Sequence, residues 1–463
     1  MSCLEGAFTD TDYYDPPADD QARPDWIRPG NGPRPAQRGQ VGPIDRPATV
    51  SAVSDAERWI VVVEEPFLPA DAGGRVETFG FLTAASNAGI RMQVLVPARS
   101  ALDVEAVEKA VPGAAVIPLP RDDSPLALLH VTPHMYASRP VGPLRRALRT
   151  TPPRADAVIS YSFRAARLGQ EIARVWRLPH LVRAHNIESA FFRAMARGSS
   201  GPRAVAYELE YRKLQLSERS LGHSPLVTAI ADISLEDHEW RRRRASVTTF
   251  HLPPFLPVGA LADEPAGRPA AAGDGRAAGT LVFVGSLDTA QNVDALRWFL
   301  DHCWDAVRAR QPAAVFRVVG RRPEPGLADW LRAIPGIELH TDVPSVEAYV
   351  RTAAVSVNPM RSGSGVNIKV VAAMAAGTPV VSTRTGGRGL SWQAARSCAE
   401  LTPATHLLVA DEPAAFTDAV CGLLADPGRA ADLGRSGRAY VLRTLDHTTL
   451  LARMRDELPV RAR

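Results

Sequence analysis

The sequence predicts an α/β protein: two Rossmann-like, doubly wound parallel-sheet halves facing a central cleft. Three observations carry that expectation. Short apolar runs of strand length alternate with amphipathic stretches of helix length. The alternation breaks after Phe255 at LPVGALADEPAGRPAAAGDGRAAG and then restarts. Loops of small residues directly follow several of the runs, where a parallel sheet opens its ligand crevice.

In chain order, residues 1–55 are rich in Pro, Gly, Asp and Arg, lack periodicity and read as a disordered tail. Order is expected from the apolar run 58–63, typical of a buried parallel strand. The loop FLPADAGGR, the helical stretch VETFGFLTAASNAG and a strand at 92–96 complete a βαβ unit. Strand-like runs recur at 157–160, 180–184 and 226–230, with amphipathic helices such as 207–221 between them. Residues 56–255 therefore read as the first domain and 256–278 as a linker. The restart gives strands at 280–284, 314–319, 336–340, 354–358 and 380–382, with helices at 293–310 and 366–376. Residues 279–440 form the second domain, and 441–463 a helix expected to return to the first.

The bulk numbers exclude several classes. With 463 residues, 45% hydrophobic and 22% charged, the chain has room for two or three ordinary cores. A net charge of +4 is small for this length and argues against a nucleic-acid partner. The run Arg241-Arg242-Arg243-Arg244 reads as a solvated helix end. Lys109, Lys213 and Lys369 are the only lysines. That bias toward arginine, with abundant Ala and Pro, points to a GC-rich genome of the actinobacterial kind. Cys3, Cys303, Cys398 and Cys421 are scattered without a C-x-x-C, which fits a reducing cytoplasm and predicts no zinc site. The acidic start has no apolar core and no run reaches 18 apolar residues, so neither a signal peptide nor a membrane span is expected. Peripheral contact with lipid stays open.

Four loops carry candidate chemistry. Gly73, Gly74 and Arg75 follow the first strand: paired glycines admit a phosphate or sugar close to the backbone, and Arg75 adds a charge. An ordinary tight turn accounts for them equally well. His185, at the end of the strand 180–184, can meet a sugar hydroxyl near neutral pH or can simply be exposed before a helix. Gly285 and Ser286 end the first strand of the second half and offer amides and a hydroxyl to an anion, or form a plain turn. The fourth loop asks for more than turn chemistry. Arg361, Gly363, Ser364, Gly365, Val366 and Asn367 lead into a helix carrying Lys369, so free amides, a helix dipole and two cations are expected at one point. A diphosphate suits that cradle. No G-x-G-x-x-G follows either first strand, so no nicotinamide or flavin cofactor is expected. Asp10-Thr11-Asp12 lies in the tail and Asp122-Asp123 are adjacent, so no metal site is expected.

Together FVGSLDTAQNVDALRWF, FRVVGRRP, MRSGSGVNIKVVAAMAAGTPVVST and LLVADEPAAFTDAVCGLLADP, with PADAGGR and RAHNIESAFFRAMA in the first half, resemble the GT-B glycosyltransferases of family 4. The resemblance covers about residues 58–450. It implies a retaining, metal-independent, cytoplasmic hexosyltransferase whose second half binds a nucleoside diphosphate sugar as co-substrate. The first half would take a sugar, lipid-linked or small-molecule acceptor. His185 would contact the transferred sugar, Arg361 and Lys369 the diphosphate. Two departures stand out. Ser286 and Gln291 replace the family's usual Arg and Lys, and Ser364 and Ala372 replace its two glutamates, the second of which holds the donor ribose. The loss at Ala372 keeps two other readings open: a non-catalytic GT-B partner of an active transferase, or a nucleotide-sugar epimerase or phosphorylase.

Overall fold

The computed structural model describes residues 57–122, 124, 127, 130–150, 154–261, 277–363, 365–390, 395–396 and 405–458. The expected tail 1–55, most of the expected linker and Ser364 lie outside these residues. Among them are two seven-stranded sheets. The first runs β3-β2-β1-β4-β5-β6-β7. Its strands are β1 (Arg58–Val63), β2 (Arg91–Ala98), β3 (Ala114–Pro120), β4 (Ala157–Tyr161), β5 (His180–Ala184), β6 (Ala229–Asp232) and β7 (Thr248–His251). The second runs β10-β9-β8-β11-β12-β14-β13. Its strands are β8 (Ala277–Val284), β9 (Val315–Gly320), β10 (Ile337–Thr341), β11 (Ala353–Asn358), β12 (Val380–Ser382), β13 (Ala395–Arg396) and β14 (Leu407–Val409).

Every described pairing in both sheets is parallel. The central strands β4 and β5 are buried along their whole length, and β1 from Trp59 on, because helices cover both faces. The strand order reverses between β1 and β4 in the first sheet and between β8 and β11 in the second. Ligand crevices of doubly wound sheets open at such points, at the carboxyl ends of the strands.

The chain's last described helix, His447–Asp456, joins the first core. Leu450, Leu451, Met454 and the following Leu458 are buried with Trp59, Phe81 and Phe255. Burial of each such side chain is worth about 1.5–3 kcal/mol. Arg455 Nε donates to Glu57 Oε2 at 2.8 Å. The second half is thereby tied to the first well away from the linker.

Three local expectations differ from the structure. The strand read at 226–230 lies at Ala229–Asp232, shifted toward the cleft. The helix read over 293–310 begins at Ala290 and is interrupted by a π-helical segment, Leu300–Trp304, which side-chain periodicity does not reveal. The four-arginine run is a solvated helix end only in part. Arg242, Arg243 and Arg244 are exposed. Arg241 is 2% exposed, and its Nε donates to Asp232 Oδ1 at 2.8 Å. Its helix turns that one position over the end of β6, where a carboxylate balances the charge.

Candidate active site

The first-half wall of the cleft is held by one buried carboxylate. Glu77 lies on the helix Gly73–Asn87, four residues past the glycine loop, and is 0% exposed. Its Oε1 accepts from Arg183 Nη2 at 2.8 Å and from the Tyr161 hydroxyl at 2.7 Å. Its Oε2 lies 2.8 Å from His185 Nε2. Arg183, equally buried, also donates to the carbonyls of Leu252 at 2.5 Å and Pro253 at 3.1 Å. Burial pushes the Glu77 carboxyl up, but Arg183 and His185 beside it overcome this and hold it at about 2. A carboxylate only accepts, so His185 Nε2 carries a proton. That leaves Nδ1 as the ring atom able to meet a substrate hydroxyl.

The second-half wall uses fewer charges. Lys369, on the helix Ile368–Ala375, donates to Asn292 Oδ1 at 2.7 Å and lies 3.4 Å from Met360 Sδ. Its Nζ sits 4.5 Å from the centroid of the Phe283 ring. Asn292 Nδ2 in turn donates to the Ser286 carbonyl at 2.9 Å, and a Cβ at Gly285 would meet the Asn292 amide at 3.0 Å. All of these partners are uncharged, and burial brings the lysine down to about 7. Arg361 is exposed, with its guanidinium 5.4 Å from the Trp298 ring centroid, so the two expected cations attach to different neighbours. Ser286 Oγ accepts from Arg321 Nε at 2.9 Å, and Arg321 also pairs with Asp71 of the first half. Asp71 is shared with Arg75, which reaches Glu65 as well, so Arg75 already has two carboxylates.

The walls meet at glycines. Gly365 has φ +68°, and a Cβ there would lie 2.4 Å from the His185 carbonyl oxygen and 2.7 Å from Asn186 Oδ1. No other residue fits that approach. A Cβ at Gly73 would touch Ile368 at 3.5 Å, whereas Gly74 has open space around it. Gly363 is exposed with φ +147°. Val366 rests on Gly389, and Asn367 precedes the helix with its Nδ2 donating to the Gly386 carbonyl at 2.9 Å. The same loop crosses to the first half, where Arg388 Nη2 meets Asp237 Oδ1 at 2.9 Å.

Thus Gly73, His185, Gly365 and the start of the lysine-bearing helix converge, while Gly74, Gly363 and Arg361 stand on the open side. Glu77, Asn292 and Arg321 escaped the sequence reading, and Arg183 was read only as part of the motif around His185. Glu77 and Asn292 were visible only as helix residues next to candidate loops, and nothing in the spacing pairs them with His185 or Lys369. Ala372, where a ribose-binding acid was expected, is partly exposed on the lysine's helix. Among the described residues no group of three His, Cys, Asp or Glu could hold a metal ion, and no helix is long and apolar enough to cross a membrane.

Residues 278–426 match the family model described as "Glycosyl transferases group 1". No curated protein matches the chain. Among solved structures, the sucrose-phosphate synthase of Thermosynechococcus elongatus superposes with TM-score 0.63 at 16% identity, covering 86% of this chain and 98% of that one. WaaG, a glycosyltransferase involved in lipopolysaccharide biosynthesis, gives 0.59 at 14% identity, over 86% and 99%. Anabaena Alr3699/HepE in complex with UDP-glucose gives 0.58 at 12% identity, over 86% and 98%. The chain has the GT-B glycosyltransferase fold, and its residues 278–426 match the group 1 glycosyltransferases.

Proposed function

We propose that the protein is a retaining, family 4 glycosyltransferase that moves a sugar from a nucleoside diphosphate sugar to an acceptor hydroxyl in the cytoplasm. One observation carries this reading: Lys369, a cation with no carboxylate partner among the described residues, shares its helix start with the Gly365 backbone that touches His185. A leaving diphosphate placed there would meet an uncompensated charge, a helix N-terminus and, on its sugar side, a fixed histidine. Lys369 and the amides would take the charge without a metal. In the retaining reaction the leaving phosphate oxygen itself takes the acceptor proton, so no dedicated carboxylate base is required. The complex of Alr3699/HepE with UDP-glucose makes uridine the first base to try.

The test is a thermal-shift panel with UDP, GDP, TDP and ADP, followed by NMR of the product formed from the matching sugar nucleotide. A nucleotide at 100 times its dissociation constant should add about 2.7 kcal/mol of stability. A product with the donor's anomeric configuration is expected. An inverted product would mean that the His185–Glu77 pair takes the proton instead. Ala372 favours a second reading, a non-catalytic partner without a ribose clamp. Nucleotide silence across the panel would put that reading first.

A further inference from the structure

One lysine carries less charge than a diphosphate does, and Arg361 lies on the Trp298 ring instead of beside Lys369. A second cation reaches the same loop by another route. Hydrogen bonds run from the lysine to Ser286 and on to the first half. Lys369 Nζ donates to Asn292 Oδ1 at 2.7 Å, and Asn292 Nδ2 to the Ser286 carbonyl at 2.9 Å. Arg321 Nε donates to Ser286 Oγ at 2.9 Å, and Arg321 Nη1 pairs with Asp71 Oδ2. The backbone fixes Arg321 in this place. It directly follows β9, and the ladder to β8 continues past both strand ends. The Gly285 N–H donates to the Val319 carbonyl at 3.1 Å and the Leu287 N–H to the Arg321 carbonyl at 3.0 Å. A Cβ at Gly320 would collide with the Gly285 carbonyl. The two ends are thus held side by side at the carboxyl edge of the sheet, where the crevice opens. The neighbouring charges have partners of their own. Arg322 turns outward to Asp288 Oδ2 at 2.8 Å, Arg75 holds Glu65 Oε1 and Asp71 Oδ1 at 3.0 Å each, and Arg121 lies 3.9 Å from Glu65 Oε2. Arg322 opposes the charge on Arg321, while Asp342 and Glu65 favour it. The Arg321 side chain is 19% exposed and that of Asp71 30%, so an anion can reach the pair.

We infer that Arg321 is a second diphosphate-binding residue, which exchanges Asp71 for the phosphate oxygens of a nucleoside diphosphate. This rests on the transferase reading above. A guanidinium presents parallel N–H donors that match phosphate oxygens, and it stays charged at every pH at which the protein folds. Ser286 Oγ accepts from Arg321, so its own proton can be donated to the same anion. Asp71 is not left bare by the exchange, because Arg75 holds its other oxygen. Asp71 therefore competes with the nucleotide for one guanidinium. The ion pair joining the two halves at this point is the one that the nucleotide breaks.

The experiment is calorimetric titration of the full chain with UDP, or with whichever of GDP, TDP and ADP stabilises it. Arg321→Met and Asp71→Asn remove the same ion pair, so a merely structural clasp would move both variants in one direction. The exchange moves them in opposite directions. Arg321→Met should weaken nucleotide binding at least tenfold, and Arg321→Lys should recover part of the loss. Asp71→Asn should tighten binding at least threefold, and that gain should vanish when Arg321→Met is added. Circular dichroism should match wild type throughout. Binding within twofold of wild type in Arg321→Met overturns the assignment. So does Asp71→Asn binding that is unchanged or weaker, or a gain that survives the loss of Arg321 and so belongs to Arg75. If Arg321→Met does not fold, Arg321→Lys and Asp71→Asn still separate the two signs. Wild-type protein that binds none of the four nucleotides would instead fail the transferase reading.

Discussion

The two walls of the cleft are built on opposite principles. The first half faces it with charged side chains held by close partners: buried Glu77 by Arg183 and His185, and half-buried Glu64 by Ser162. The second half faces it with glycine backbone, Asn292 and Lys369, whose described contacts are uncharged, while Arg321 and Arg388 at its edges pair with carboxylates of the first half. A wall of paired charges is rigid and expensive to disturb, since each charge depends on the other for its solvation. On the proposed reading, the charge of the lysine in the second wall is balanced only when an anion binds. On this comparison, changes in the first wall should cost stability, and changes in the second should cost turnover.

The comparison can be broken most severely at Glu77. Glu77→Ala leaves Arg183 and His185 buried without their carboxylate, and should lower unfolding free energy by about 3–5 kcal/mol in urea titrations. A loss below about 1 kcal/mol would mean that the first wall is not held by its charges. Next comes the seam. Gly365→Ala drives a methyl into the His185 carbonyl. We expect turnover to drop about a hundredfold, which is about 2.7 kcal/mol in the barrier, with a larger radius of gyration in small-angle scattering. Turnover within twofold of wild type would show that the walls need not meet.

Lys369→Ala tests the second wall from the other side. Turnover should drop at least about tenfold, worth about 1.4 kcal/mol in the barrier, with no loss of melting temperature because no ion pair is broken. A clear drop in melting temperature would put Lys369 among the structural residues. The same lysine predicts a pH effect. At about 7 its folded pKa lies below the ordinary lysine value, so the empty site is increasingly neutral above pH 7. A bound diphosphate favours the charged form. Nucleotide affinity should therefore be full below pH 7 and fall by up to about tenfold per unit above it, which calorimetry in two buffers would register as proton uptake. Folding responds with the same sign of depression: the unfolded lysine binds its proton up to higher pH, so this group's penalty on stability is complete below 7 and fades as pH rises past it. The smallest expected effect is Ala372→Glu. A carboxylate that meets ribose hydroxyls should tighten nucleotide binding about tenfold, and unchanged affinity would mean the ribose lies elsewhere.

Much of this was legible in the chain alone. Continuous apolar runs suit strands covered by helices on both sheet faces, so 58–63, 157–160 and 354–358 read as parallel strands with a cleft outside their carboxyl ends. Gly365 and Lys369 stood out because a helix start with free amides and a cation is more than turn chemistry requires. The β1–β4 reversal could not be read that way, since strand order is not written in any local window. Nor could the partners of His185 and Lys369. Glu77 is 108 residues from His185 and Asn292 is 77 from Lys369. Local periodicity places a residue on a face of its own helix, but which charge faces it across the cleft is set by how distant elements pack. The sequence by itself determined two parallel sheets and a glycine-rich loop leading into the lysine-bearing helix. The tertiary structure decided which charges are cancelled and which are left for a substrate, because electrostatic partnership depends on distance in space and on burial.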